Sequence, residues 1–193
     1  MKFSTIKYLL IASLSLILFS CSKQEQSDFI PAGEGLLSVD FGYDLEPISI
    51  TKAEDPIFAI NIKDFRTGVI VKQIPDHTQL LNEPLAIRIG KYIVEATNGE
   101  DVNAEFDAPY YFGSDTVEVV EGKATTAQIF CTLANVKVAV AFSDAILDHF
   151  TTYDVTVTNT IDSLLFDKEN NSRDGYFKVT GELHWTLKLI NND

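Results

Sequence analysis

Apolar and polar residues alternate with a period of two through most of the chain beyond residue 34. Leu37, Val39, Phe41 and Tyr43 alternate with Ser38, Asp40 and Gly42. Side chains two apart share one face of an extended chain, so this stretch predicts a half-buried strand. The same pattern predicts strands at Phe58–Ile62 and Val69–Val71, joined by a turn at Arg66-Thr67-Gly68. Leu85, Ile87 and Ile89 make another, which Gly90-Lys91 is expected to turn into Tyr92, Val94 and Ala96, with Asn98-Gly99 ending that strand. Thr116–Val120 and Thr125–Cys131 flank a turn at Glu121-Gly122-Lys123. Further strands are expected at Val136–Phe142, Tyr153–Thr158, Ser163–Phe166, Tyr176–Val179 and Leu183–Leu189. One short helix is expected, Asp144–Phe150, with Ser143 as its N-cap.

Many short strands punctuated by Gly and Asn turns argue for an all-β chain built as a β-sandwich. Residues 34–131 hold enough strands for a complete sandwich. Residues 132–193 supply about five strands, whereas an immunoglobulin-type sandwich uses about seven in about 100 residues. The second half is therefore expected to be an incomplete β-sandwich. Its last strand, Leu183–Leu189, is apolar on one face and stops four residues before Asp193. Either the chain is a truncated version of a longer protein, or a partner completes the second sandwich by adding a strand.

The N-terminus follows a different pattern. Lys2 and Lys7 precede the 12-residue apolar run Tyr8–Phe19. A bilayer-spanning helix needs about 20 apolar residues, so this run reads as the core of a secretion signal over residues 1–20. It ends at Leu18-Phe19-Ser20-Cys21, which resembles a lipobox. Cys21 is then the lipid-bearing first residue of the mature protein, because the chemistry needs a thiol to carry the diacylglyceryl group. Phe19 is bulkier than is usual at its place. Residues 21–33 are polar, with one Pro and one Gly, and read as a tether. With Cys21 lipidated, Cys131 has no disulfide partner and is expected to be a small buried hydrophobe.

Charge narrows the ligand classes. The 193 residues carry 15 basic and 28 acidic side chains, a formal net charge of −13. Removing Lys2 and Lys7 with the signal leaves 13 basic against 28 acidic, or −15. Such a surface repels nucleic acid and anionic lipid. The three His, at 77, 149 and 184, fall at no metal-ligand spacing, and no nucleophile elbow or phosphate loop is present. The acidic stretch Asp167–Gly175 has Ser172 where a calcium loop of the EF type needs Gly, so a polar hairpin turn is expected there. No cofactor, metal site or catalytic residue is expected, and the chain does not read as an enzyme.

Five segments together carry a family resemblance: Gly33–Ser38, Gly90–Ala96, Phe106–Gly113, Cys131–Val138 and Gly175–Phe177. They resemble the lipoproteins of Bacteroidota grouped as domain of unknown function 4493, from about residue 33 to the end. The gross pattern is also similar to fimbrillin-type adhesin subunits. The resemblance implies a transthyretin-like first sandwich, display at the cell surface, and adhesion as the working role. It implies no catalytic residue. The acidic tether residues Glu25 and Asp28 resemble the signal that sends such lipoproteins to the outer face of the outer membrane. Polymerising fimbrillins are trimmed after an Arg downstream of the lipid Cys, and here the first Arg is Arg66. A stand-alone surface module is therefore favoured over a pilus subunit.

These readings predict an outer-membrane, surface-exposed lipoprotein that acts as a non-catalytic adhesion or interaction module. The alternatives are a glycan-binding accessory lipoprotein of a polysaccharide-uptake system, or a structural fimbrial component. The candidate ligand-contact aromatics are Phe106, Tyr110, Tyr111 and Phe112, set against a reading of the same cluster as core packing beside a Pro turn. Thr116 and Ser163, each following an Asp, resemble the Asp-Ser/Thr-apolar tripeptide O-glycosylated in exported Bacteroidota proteins. The expected partners are the membrane through the lipid anchor, a surface protein or glycan, and a strand donor for the C-terminal half.

Overall fold

The computed structural model describes residues 30–45 and 56–191. The signal, Cys21 and the tether up to Phe29 lie outside the described residues. The chain is an all-β sandwich protein, with two short helices among the described residues. Its strands are β1 (Glu34–Tyr43), β2 (Ala59–Asp64), β3 (Ile70–Ile74), β4 (Leu85–Arg88), β5 (Gly90–Asn98), β6 (Ala104–Phe106), β7 (Tyr111–Val119), β8 (Ala124–Leu133), β9 (Val136–Val138), β10 (Phe150–Thr158), β11 (Ser163–Phe166), β12 (Gly175–Phe177) and β13 (His184–Asn191). The helices are α1 (Thr78–Asn82) and α2 (Asp144–His149).

The larger sheet runs β3-β2-β5-β7-β8-β1-β4 and curls on itself. Its inward positions are the alternate apolar residues of each strand: Leu37 and Val39 of β1, Ile60 and Ile62 of β2, Val94 and Ala96 of β5, and Ala127, Ile129 and Cys131 of β8. Every one of these side chains is buried, and burying each Val, Leu or Ile among them stabilises by about 1.5–3 kcal/mol. β1 and β8 pair in parallel from Leu36↔Ala124 to Tyr43↔Cys131, while the remaining pairs of this sheet are antiparallel. The Cys131 thiol points at the Ala96 carbonyl oxygen, 3.7 Å away, across the interior.

Several local features differ from the sequence pattern. A second helix, α1, follows Asp76, whose carboxylate accepts the Thr78 N–H at 2.9 Å and the Thr78 hydroxyl at 2.7 Å. It lowers Leu80 into the core, but at five residues it is too short to show a helical period. Gly90-Lys91 is not a hairpin turn. β4 pairs with β1 while β5 pairs with β2 and β7, so this corner sends the chain to another part of the sheet. The Tyr92 hydroxyl holds the corner by donating to the Arg88 carbonyl at 2.9 Å. The turn after β2 is closed by Asp64, which accepts N–H bonds from Arg66 and Thr67; together with the Thr67 hydroxyl they hold its carboxyl below its usual range.

The second body is a small sandwich of two three-stranded sheets, β11-β10-β13 and β6-β12-β9. Val155, Val157, Phe166 and Phe177 form its buried centre. β6 comes from within residues 34–131 yet pairs with β12, Gly175↔Phe106. Asp167–Asp174 is a crossover between layers rather than a hairpin, because β11 and β12 belong to different sheets. The Asp167 carboxylate accepts the N–H groups of Glu169 and Asn170 at 2.9 and 3.2 Å. Asn159 ties the body together: its amide donates to the Asn103 and Lys178 carbonyls at 2.8 and 3.1 Å. Its oxygen accepts the Ile161 and Asp162 N–H groups at 3.2 and 2.9 Å.

Candidate functional site

The four candidate aromatics do not form one surface. Tyr111 is 1% exposed and lies in the main core. Its hydroxyl donates to the Leu45 carbonyl at 3.3 Å, and burial pushes its pKa up to about 12. Phe106 is half-buried in the second body, with the Phe166 ring at 5.0 Å on one side and the Arg173 guanidinium at 4.8 Å on another. Arg173 is itself held by Asp107 at 2.7 Å. Tyr110 and Phe112 remain together on the outer side of the sheet, their ring centroids 6.5 Å apart. The cause is the strand period: Tyr111 starts β7 pointing inward, so its two neighbours point outward.

The Pro turn before them is fixed by Asn135. Its Oδ1 accepts the Tyr110 N–H at 3.3 Å and its amide donates to the Ala108 carbonyl at 3.0 Å. Gly99, with φ +85°, is required because a Cβ there would overlap the Pro109 carbonyl.

The outer face also carries an aromatic that the sequence pattern does not single out. Phe130 of β8 is 60% exposed. Thr132 pairs with Phe112, and Phe130, two residues earlier, points to the same side. The signal was present as an apolar residue at a polar-phase position, between Gln128 and Thr132.

Thr116 and Ser163 are both exposed, and each donates its backbone N–H to the carboxylate of the preceding Asp, at 2.7 and 2.8 Å. The second carboxylate oxygen of Asp115 accepts the Gln128 N–H at 2.8 Å, so this Asp also ties β7 to β8.

A second candidate surface is the inner face of β13. Trp185, Leu187 and Leu189 pair directly with Val157, Val155 and Tyr153 of β10. Directly opposed residues project from the same face of a sheet, so these three point toward the centre of the small sandwich. All are nevertheless exposed, while their β10 partners are buried. The covering layer explains this. Phe106 of β6 lies against Phe166 of β11, and Phe142, just beyond β9, lies against Tyr153 of β10 at 4.6 Å. Among the described residues the covering sheet ends at β9, and no apolar layer reaches β13.

The family model described as a domain of unknown function (DUF4493) matches residues 33–193. The chain belongs to this family. Solved structures similar to it include a candidate adhesin from Bacteroides thetaiotaomicron, 13% identical, with a TM-score of 0.42 over 82% of this chain and 63% of that one. The chain thus spans just under two thirds of that protein's length. Candidate polysaccharide-binding proteins of the same organism match at 12% identity and a TM-score of 0.42, over 82% of this chain and 73% of theirs. A candidate adhesin from Bacteroides ovatus matches at 8% identity and a TM-score of 0.35, over 91% of this chain and 72% of that one. No curated protein matches the chain.

Proposed function

We propose that this chain is a non-catalytic interaction module, carried on a lipid at Cys21, held at the outer membrane and displayed at the cell surface, and that it engages a partner polypeptide through its second sandwich. Residues 34–131 and 132–193 are its two units, with β6 lent by the first to the second. The observation that carries the reading is the uncovered inner face of β13. A single sheet face bearing Trp185, Leu187 and Leu189 in line, without a layer above it, exposes apolar surface of the kind that marks an interaction site. Leu187 and Leu189 are already more than half buried, so covering the rest would contribute about 0.5–1 kcal/mol for each.

The spacing of those residues selects the occupant. Three apolar positions at intervals of two match an extended segment with apolar side chains at alternate positions, laid beside the end of the β6-β12-β9 sheet. The opposite face of β13 carries His184, Thr186 and Lys188, which keep that side in water.

Hydrogen exchange on the purified mature chain, with Cys21 replaced, tests the reading. In a dilute monomer, β13 is expected to exchange much faster than the core strands β5 and β8. Slow exchange across 184–190, including the amides that point away from β10, would show that a neighbour already protects the strand, and the reading would fail.

A further inference from the structure

We infer that the outer face of the large sheet carries a carbohydrate-binding platform centred on Phe130, flanked by Asp40 and Gln128 and continued by Phe112 and Tyr110. This site is separate from the β13 face and stands whether or not that face accepts a strand.

The ring is laid down rather than projected. Gly42 of β1 pairs with Phe130 of β8, and a Cβ on Gly42 would meet two carbons of the Phe130 ring at 2.9 and 3.2 Å. Only a residue without a side chain lets the ring lie across β1 in this way. One side of the ring is thereby set against β1, and at 60% exposure the remainder faces water. The ring lines a shallow depression of about 500 Å³ with Asp40, Phe41, Gly42, Gln128 and Ile129. Of these, the side chains of Asp40 and Gln128 are exposed. Beyond them the Ser38 and Thr126 hydroxyls bond to each other at 2.9 Å.

The chemistry of the depression selects its ligand class. An aromatic face carries negative charge density and attracts the polarised C–H groups of a pyranose ring. The Asp40 carboxylate accepts, and the Gln128 amide both donates and accepts, which suits the vicinal hydroxyls of a sugar. The other classes fit less well. An anionic ligand meets a chain of net charge −13. An added peptide strand would pair along a strand edge, whereas the ring lies on the face of the sheet. A protein partner held by apolar burial would find the three rings interrupted by the exposed polar side chains of Asp40, Gln128 and Thr132. The rigid sheet also fixes the ring and both polar groups in advance, which limits the entropy lost on binding.

The test is a nuclear magnetic resonance titration of the mature chain with neutral oligosaccharides: cellohexaose, mannohexaose, xylohexaose and tetra-N-acetylchitotetraose. At millimolar concentration at least one is expected to shift the amides of residues 38–42 and 126–132 saturably. Phe130→Ala is expected to weaken that binding about tenfold or more, as loss of a central aromatic anchor does, and Asp40→Asn or Gln128→Ala to weaken it a few-fold. Phe130→Leu keeps apolar bulk over Gly42 but removes the flat ring, so it separates binding from folding and is expected to lose affinity while its melting temperature stays near that of the parent. Trp185→Ala is expected to bind unchanged. Absence of shifts on this face with all four probes overturns the inference, and so does binding that survives in Phe130→Leu.

Discussion

Val157 and Trp185 stand directly opposite each other in the β10–β13 pair and point to the same side, yet Val157 is 4% exposed and Trp185 70%. The two residues share one sheet and one face but not one covering layer. Val157 is buried in one cluster with Phe177 of the facing sheet and Phe166 of its own sheet, and Trp185 lies past the end of the facing layer. The boundary between core and open surface in the second sandwich therefore runs between two adjacent strands.

This boundary sets opposite outcomes for two substitutions. Val157→Ala removes packed methyl groups and is expected to cost about 2 kcal/mol, whereas Trp185→Ser in the free chain is expected to change stability by less than about 0.5 kcal/mol. Trp185 is the single tryptophan, so its fluorescence reports directly. Red-shifted emission and free quenching by acrylamide are expected, and a blue-shifted, protected tryptophan would contradict the exposed position.

Cys21→Ala removes the thiol that takes the lipid. The variant is expected to stay unprocessed or to leave the membrane fraction, and maturation to a lipid-bearing species would refute the assignment. For the parent, protease added to intact cells is expected to remove an epitope placed near Asp193. Protection until the cells are lysed would put the protein in the periplasm.

Asn159 has both its amide and its oxygen engaged while fully buried. Asn159→Ala leaves two carbonyls and two N–H groups without those partners, and a loss of about 3 kcal/mol is expected in urea unfolding. Thr160 beside it has φ +74°, a conformation the Asn159 network holds in place. A loss below about 0.5 kcal/mol would mean that water replaces the side chain.

Alkaline pH acts most strongly through two of the buried groups. Burial raises the Cys131 thiol from 9.0 to about 11 and the Tyr111 phenol from 10.0 to about 12. As pH rises through this range the unfolded chain releases these protons before the folded chain does, so stability falls. Their contribution is complete below about pH 9 and is lost progressively toward pH 12. Cys131→Ala is expected to flatten the lower part of that decline, and the native thiol is expected to react with a disulfide reagent only on unfolding. Fast reaction of the folded protein at pH 8 would show that Cys131 is accessible.

Most strands could be read from the sequence because each has one buried and one wet face, and that asymmetry writes a period of two into the residues. β1, β5 and β10 follow it closely. The elements that escaped are those whose form depends on distant partners. β6 is three residues long and exists as a strand by pairing with β12, nearly 70 positions later. α1 is a single turn organised by Asp76.

The candidate site divides along the same line. The local alternation around Tyr110-Tyr111-Phe112 contains the information that the middle ring points away from its neighbours, but not which side is the core. The exposed phase of Phe130 is likewise local, whereas its placement over Gly42 arises from a parallel pairing between strands more than 80 residues apart. Sequence alone determined the strand-rich composition, the acidic surface and the alternation of faces, because each depends on a residue and its near neighbours. Tertiary structure decided which rings are covered, that β13 lies beyond the covering layer, and that Phe130 meets a glycine, because burial and contact depend on what the rest of the chain brings to the same place.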